Sequence, residues 1–230
     1  MSMSPQQFTL NIDRPRHQTM DNFVAGENGE LITTLTQPSA GFRGLWIAGQ
    51  RSSGKTHLLR GYCLQSAQPT TFIEAGAAAD PDGDQRLMQA GSRVGDVVID
   101  DVQELVGSEA RERYLLSIYQ RVFEEGSQLI VSADQPASAF GFAIADVASR
   151  MRSLEHFNIH PLNDQDKAQL LRRRADQRGY LLSEQVIHYW LTHGPRDVGQ
   201  LLIDLDTLDR ASLARQQRVS IPLLKEVLGY

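Results

Sequence analysis

Gly49-Gln50-Arg51-Ser52-Ser53-Gly54-Lys55-Thr56 follows the apolar run Leu45-Trp46-Ile47-Ala48 and opens a helical pattern from His57 to Gln65. G-x-x-x-x-G-K-T between a strand and a helix is the phosphate-cradling P-loop pattern. Gly49 and Gly54 allow the tight turn, and the N–H groups of Arg51, Ser52, Ser53 and Gly54 converge on one point. The following helix aims its unpaired N–H groups and positive dipole end at that point, with the His57 N–H in its first turn. Lys55 is placed to reach the β- and γ-phosphates, and the Thr56 hydroxyl to ligate Mg²⁺. The loop specifies a nucleotide polyphosphate and does not read the base.

Working outward, short apolar strands alternate with helices. Strands are expected at 44–48, 70–74, 97–100, 128–132 and 156–159, and helices at 27–37 and 109–124, among others. This alternation predicts an α/β fold with a parallel five-stranded sheet flanked by helices. After Pro161 only helical patterns follow, at 164–178, 183–193, 196–214 and 220–228. Gly179 reads as a helix stop, and Ser183 and Ser220 as N-caps. The expected division is a tail at 1–18, a nucleotide-binding α/β domain at 19–161 and a small all-helical domain at 162–230. Residues 1–20 are polar, with isolated apolar positions at Phe8, Leu10 and Ile12, which reads as a flexible tail carrying a short motif.

Composition narrows the classes. The chain has 230 residues and a net charge of −5, which argues against a dedicated nucleic-acid binder. Cys63 is the single cysteine, so neither a disulfide framework nor a zinc quartet is expected, and it reads as a small core residue. No apolar stretch is long enough to span a membrane, and the N-terminus lacks the pattern of a secretory signal, so a cytoplasmic protein is expected.

Asp96-Val97-Val98-Ile99-Asp100-Asp101 is an apolar strand ending in two acids. Beside a P-loop this is a Walker B arrangement: Asp100 would hold Mg²⁺ through water, and Asp101 would orient an attacking water. Asp134, after the strand Leu129-Ile130-Val131-Ser132, would sense the γ-phosphate from the sheet's C-terminal edge, or simply start a turn before Pro136. Arg150 would project as an arginine finger into a neighbour's nucleotide site, the plain alternative being a surface arginine on a helix end. Arg196, at a helix start behind Pro195, would fold onto the phosphates or stay solvated. Arg172-Arg173-Arg174 reads as a solvated face, and the six histidines as structural or surface residues.

In this order the elements resemble the AAA+ family, and more narrowly its DnaA initiator clade. Thr19-Met20-Asp21-Asn22-Phe23-Val24-Ala25-Gly26 resembles the first conserved box of that clade, which implies Asn22 and Phe23 beside the nucleotide. Ala148-Ser149-Arg150 continues the match. Pro161–Lys167, Leu208–Ser212 and Ser220–Leu228 resemble the lid of the Hda family, regulatory inactivators of DnaA. Gln7-Phe8-Thr9-Leu10-Asn11-Ile12 is similar to a sliding-clamp-binding peptide, with Gln7, Phe8, Leu10 and Ile12 as the docking residues, Asn11 standing where proline is usual.

The resemblance implies a nucleotide-bound adaptor, with ADP or ATP and Mg²⁺, that binds the clamp and promotes hydrolysis of DnaA-bound ATP through Arg150. The DNA-binding helix-turn-helix of DnaA is not expected, nor direct sequence-specific DNA binding; a homodimer through AAA+ or tail contacts would fit. The chain would then stimulate a partner's ATPase rather than act chiefly as an enzyme. The competing expectations are an autonomous AAA+ ATPase such as a helicase loader, which the intact Thr56 and Asp101 keep open, and a small-molecule P-loop kinase, which the helical C-terminal domain disfavours.

Overall fold

The computed structural model describes residues 18–76 and 83–230. Five strands, β1 (Arg43–Ala48), β2 (Thr70–Glu74), β3 (Asp96–Asp100), β4 (Gln128–Ala133) and β5 (Glu155–Asn158), form one sheet in the order β2-β3-β4-β1-β5, with every pairing parallel. Parallel sheets are covered on both faces, so their central strands are apolar throughout. Accordingly β3 is buried at all of its positions. The side-chain alternation of a strand then splits the core in two. Leu45, Ile47, Val98 and Ile130 point to one face and pack on α1 (Gly29–Thr36) and α2 (Lys55–Gln65). Trp46, Val97, Ile99, Leu129 and Val131 point to the other, against α3 (Gly83–Gly91), α4 (Glu109–Glu125) and α5 (Ala145–Arg152).

The C-terminal helices are α6 (Asp164–Gln177), α7 (Glu184–His193), α8 (Val198–Arg215) and α9 (Ile221–Leu228). They close around a separate apolar cluster that includes Leu171, Trp190, Leu201, Leu205 and Leu224. Side-chain caps mark their starts. Asn163 accepts from the Asp166 N–H, Ser183 from Val186, Asp197 from Gln200 and Ser220 from Leu223. Gly179 takes φ +81° just past the end of α6, a conformation that favours glycine.

One buried side chain stitches the N-terminal box to the junction with the lid. Asn28, 3% exposed, donates to the carbonyls of Ala25 and His160, each at 3.0 Å, and accepts the His160 N–H at 2.6 Å. His160 lies between β5 and α6, so the segment before α1 is tied to the connection that leads into the C-terminal helices. None of the described helices is long and apolar enough to cross a membrane.

Candidate functional site

The P-loop occupies the turn between β1 and α2, at the C-terminal edge of the sheet where open α/β folds bind ligands. Its shape requires its glycines. Gly54 has φ +99°, and a Cβ at Gly49 would stand 2.2 Å from Ile159 Cγ2. Ser52 also takes a positive φ, +60°. Lys55 is buried and donates to the carbonyls of Gly49 at 2.7 Å and Gln50 at 3.1 Å, so its ammonium sits inside the curve of the loop. Ser53 Oγ is a buried hydroxyl without a hydrogen-bond partner among the described residues. Arg51 and Ser52 are exposed at the loop's tip.

The two acids end β3 beside this loop, and one hydroxyl organises both. Thr56 Oγ1 donates to Asp100 Oδ2 at 2.6 Å, and Ser132 Oγ donates to Asp100 Oδ1 at 2.5 Å. The same Ser132 oxygen accepts the Asp101 N–H at 3.0 Å, where the backbone takes a left-handed turn at φ +56°. Burial raises the pKa of Asp100 above the ordinary carboxylate range, against the hydrogen bonds from Ser132 and Thr56, which favour the charged form. Ser132 is fully buried in the interior of β4, in register beside β1. Asp134 lies one residue beyond the end of β4 and is exposed. From sequence the strand is expected to end at Ser132, with Asp134 as the group of interest; the strand runs on through Ala133, and Ser132 is the residue that reaches the acids.

Residues 18–23 form the wall of the site. Phe23 approaches the position of a Gly54 Cβ within 3.1 Å and meets the His57 ring edge-on at a centroid distance of 5.3 Å. His57 Nε2 faces two oxygens, Asn22 Oδ1 at 2.8 Å and the Thr19 carbonyl at 3.0 Å. Both are acceptors, so Nε2 carries a proton. Burial lowers its pKa, against the bond to Thr19, and the nearby Arg174 charge pushes in the same direction as burial. The His57 ring therefore clamps the box to α2. Gly61 lets the box lie close, since a Cβ there would stand 2.8 Å from the Met20 nitrogen.

The lid reaches the site from two places. Ser52 Oγ lies 3.1 Å from where a Gly199 Cβ would be, so the first turn of α8 rests on the tip of the P-loop. Arg196 precedes the α8 N-cap, which is Asp197, and its Nη1 pairs with Asp164 Oδ1 at 2.5 Å on the surface. The helix thus starts beyond Arg196, and the guanidinium is engaged by the first residue of α6. Arg174 corrects the reading of three solvated arginines. Arg172 pairs with Glu184 at the surface, whereas Arg174 is only 8% exposed and is charge-coupled to His57. Three successive helical positions point in different directions, and the third is the buried one, its charge felt at His57.

Arg150 lies apart from these groups, on α5. Its side chain is one-third exposed, its Nε donates to Asp146 Oδ2 at 3.0 Å, and its guanidinium carbon stands 4.9 Å from the centre of the Tyr119 ring. The clamp-motif residues Gln7, Phe8, Leu10 and Ile12 lie outside the described residues.

The donors present fit a nucleotide with Mg²⁺. The loop packs so closely on Ile159 that Gly49 admits no Cβ, a buried ammonium lies within its curve, and a hydroxyl–carboxylate pair stands at its end. This is the site of a P-loop nucleotide-binding protein of the AAA+ type, and comparison with known proteins places it further. The family model of the bacterial DnaA ATPase domain matches residues 15–158, so the chain belongs to the DnaA-type AAA+ family. The Hda lid-domain model matches residues 164–228, which makes it an Hda-like member of that clade. Among solved structures, domain III of the replication initiation protein DnaA from Thermotoga maritima superposes with a TM-score of 0.81 at 18% identity, covering 93% of this chain and 96% of that one. DnaA from Aquifex aeolicus bound to AMPPCP superposes with a TM-score of 0.66 at 19% identity, covering 86% and 68% respectively.

Proposed function

We propose that this DnaA-related regulator is a nucleotide-bound adaptor that docks on the DNA sliding clamp through Gln7, Phe8, Leu10 and Ile12 and promotes hydrolysis of ATP held by the DnaA initiator. The observation that carries the reading is the setting of Arg150. Its guanidinium is one-third exposed on α5, laid on the Tyr119 ring and steered by Asp146. Such a guanidinium is pre-oriented, loses little side-chain entropy on docking and can stabilise charge on a phosphoryl group in another molecule.

The chain's own site has a different task in this reading. Lys55 and the N–H groups of the P-loop bind the polyphosphate of ADP or ATP, Thr56 and Asp100 hold Mg²⁺, and Asn22 and Phe23 line the wall. When bound, the metal neutralises phosphate charge. Arg196 exchanges Asp164 for the phosphates, and Asp134 faces them from the sheet edge. The bound nucleotide then fixes the seat of the lid on the P-loop through the contact of Ser52 with Gly199 and the approach of Arg174 to His57.

A second reading is favoured by one observation: Thr56, Asp100, Asp101 and Ser132 form a connected constellation suited to hydrolysis by the chain itself, as in a helicase loader. One experiment separates them. Clamp-loaded DNA, ATP-loaded initiator and this chain are combined, and hydrolysis is followed with and without residues 1–13. The adaptor reading expects initiator-dependent hydrolysis that is lost with the tail and negligible turnover by the chain alone. Fast turnover without initiator, indifferent to the tail, contradicts it.

A further inference from the structure

Glu112 lies in the first turn of α4 and is wholly withdrawn from solvent. A buried carboxylate is costly unless donors surround it. Three backbone N–H groups do so: Gly107 at 2.8 Å and Ala143 at 2.9 Å on Oε1, and Ile144 at 2.7 Å on Oε2. The donors come from two separate segments. Gly107 closes the loop that begins at Asp101, and Ile144 is the N-cap residue of α5. Isoleucine has no side-chain oxygen for the unpaired N–H groups of a helix start, so α5 begins without a cap of its own. The Glu112 carboxylate supplies an anion near the positive end of that helix.

Seven residues along α4, on the same face two turns later, Tyr119 presents its ring to the Arg150 guanidinium. α4 therefore grips α5 at two points, at its start through Glu112 and at its arginine through Tyr119.

We propose that Glu112 is a positioning residue for Arg150, fixing the start of α5 and joining it to the loop that follows Asp101. This rests on the reading of Arg150 as the group presented to the initiator. Glu112→Gln keeps the shape, but its NH₂ group faces a backbone N–H where a carboxylate oxygen stood. The chains Glu112→Gln, Tyr119→Leu, Arg150→Ala and Glu112→Gln/Arg150→Ala are compared after each has been shown to bind ADP like the wild type. The readouts are amide hydrogen exchange over residues 143–152 and initiator ATP hydrolysis as a function of chain concentration.

In Glu112→Gln, exchange quickens over 143–152. The maximal stimulated rate falls about tenfold, the scale of a lost hydrogen bond to a charged group, with half-saturation little changed. The same substitution adds nothing in the Arg150→Ala chain. Wild-type exchange together with a wild-type maximal rate overturns the proposal. So does a loss that persists undiminished in the Arg150→Ala background, the mark of a general structural role. Should Glu112→Gln fail to fold, Tyr119→Leu must lower the maximal rate in the same way, and full activity there overturns the two-point grip. A fully active Arg150→Ala chain overturns the arginine reading beneath this one, and the exchange data tell the two failures apart.

Discussion

Ser132→Ala removes one oxygen from the centre of the Walker B strand end, and its consequences can be worked from three contacts. The hydroxyl donates to Asp100 Oδ1 at 2.5 Å and accepts the Asp101 N–H at 3.0 Å. Loss of the first bond, made to a charged group, costs about 1.5–3 kcal/mol, and leaving the second donor unmatched costs about 1–3 kcal/mol. Asp100 keeps Thr56 and can relax by taking up a proton, so a net loss of about 3 kcal/mol is expected. In a chain of this size that lowers the thermal midpoint by about 6–12 °C. The same change alters ionisation. Burial raises the pKa of Asp100, and the Ser132 hydroxyl is the strongest of the groups opposing it. Without that hydroxyl the carboxyl protonates at a higher pH. Mg²⁺ needs the ionised form, so Mg²⁺-dependent ADP binding is lost as pH falls through the folded pKa, earlier in Ser132→Ala than in the wild type. Thermal melts and calorimetric ADP titrations with Mg²⁺ across a pH series check both. A midpoint unchanged from the wild type, with an unshifted pH profile, would refute the reasoning that this hydroxyl organises the two acids.

Other consequences follow from the same geometry. Gly49→Ala drives a methyl into Ile159, at a cost of about 1–3 kcal/mol, and should weaken ADP binding in calorimetric titration more than it lowers the urea midpoint. Asn28→Ala strands the donor and acceptors it joins around Ala25 and His160, and should cost about 2–4 kcal/mol by urea unfolding. His57 has a folded pKa depressed by burial, so the unfolded chain binds more protons just below the ordinary value of 6.5. That stability is present above the ordinary value and drains away as pH falls toward the folded pKa. Thermal melts should show this slope in the wild type and a flatter one in His57→Gln.

What the sequence made legible followed from local pattern. Val97-Val98-Ile99 could be read as a buried strand because parallel sheets hide both faces, and Gly54 as a turn residue because four residues separate it from Gly49 and Lys55-Thr56 follows it directly. All five strands lie within a residue of their expected bounds, as the comparison of 44–48 with Arg43–Ala48 shows. What stayed hidden depends on contacts between distant segments. Ser132 matters only because β4 lies beside β3, a neighbour relation that strand order decides. The His57 ring finds its acceptors 38 and 35 positions away, at Thr19 and Asn22. Arg174 reads like its two neighbours in sequence, and only the packing of α6 buries it. Arg196 was placed inside a helix, whereas the carboxylate of Asp197 takes the cap and leaves it outside. A lone polar residue inside an apolar strand, as in Leu129-Ile130-Val131-Ser132, was the one available signal for the missed serine.

In the function proposed above, Arg150 acts on a nucleotide bound by another molecule. Initiator is loaded with radiolabelled ATP, freed of excess nucleotide and mixed with clamp-loaded DNA and either the wild-type or the Arg150→Ala chain, both shown beforehand to bind ADP equally well. The account predicts rapid conversion of the label to ADP with the wild-type chain and a rate near the initiator's own with Arg150→Ala. Equal conversion by the two chains would contradict it.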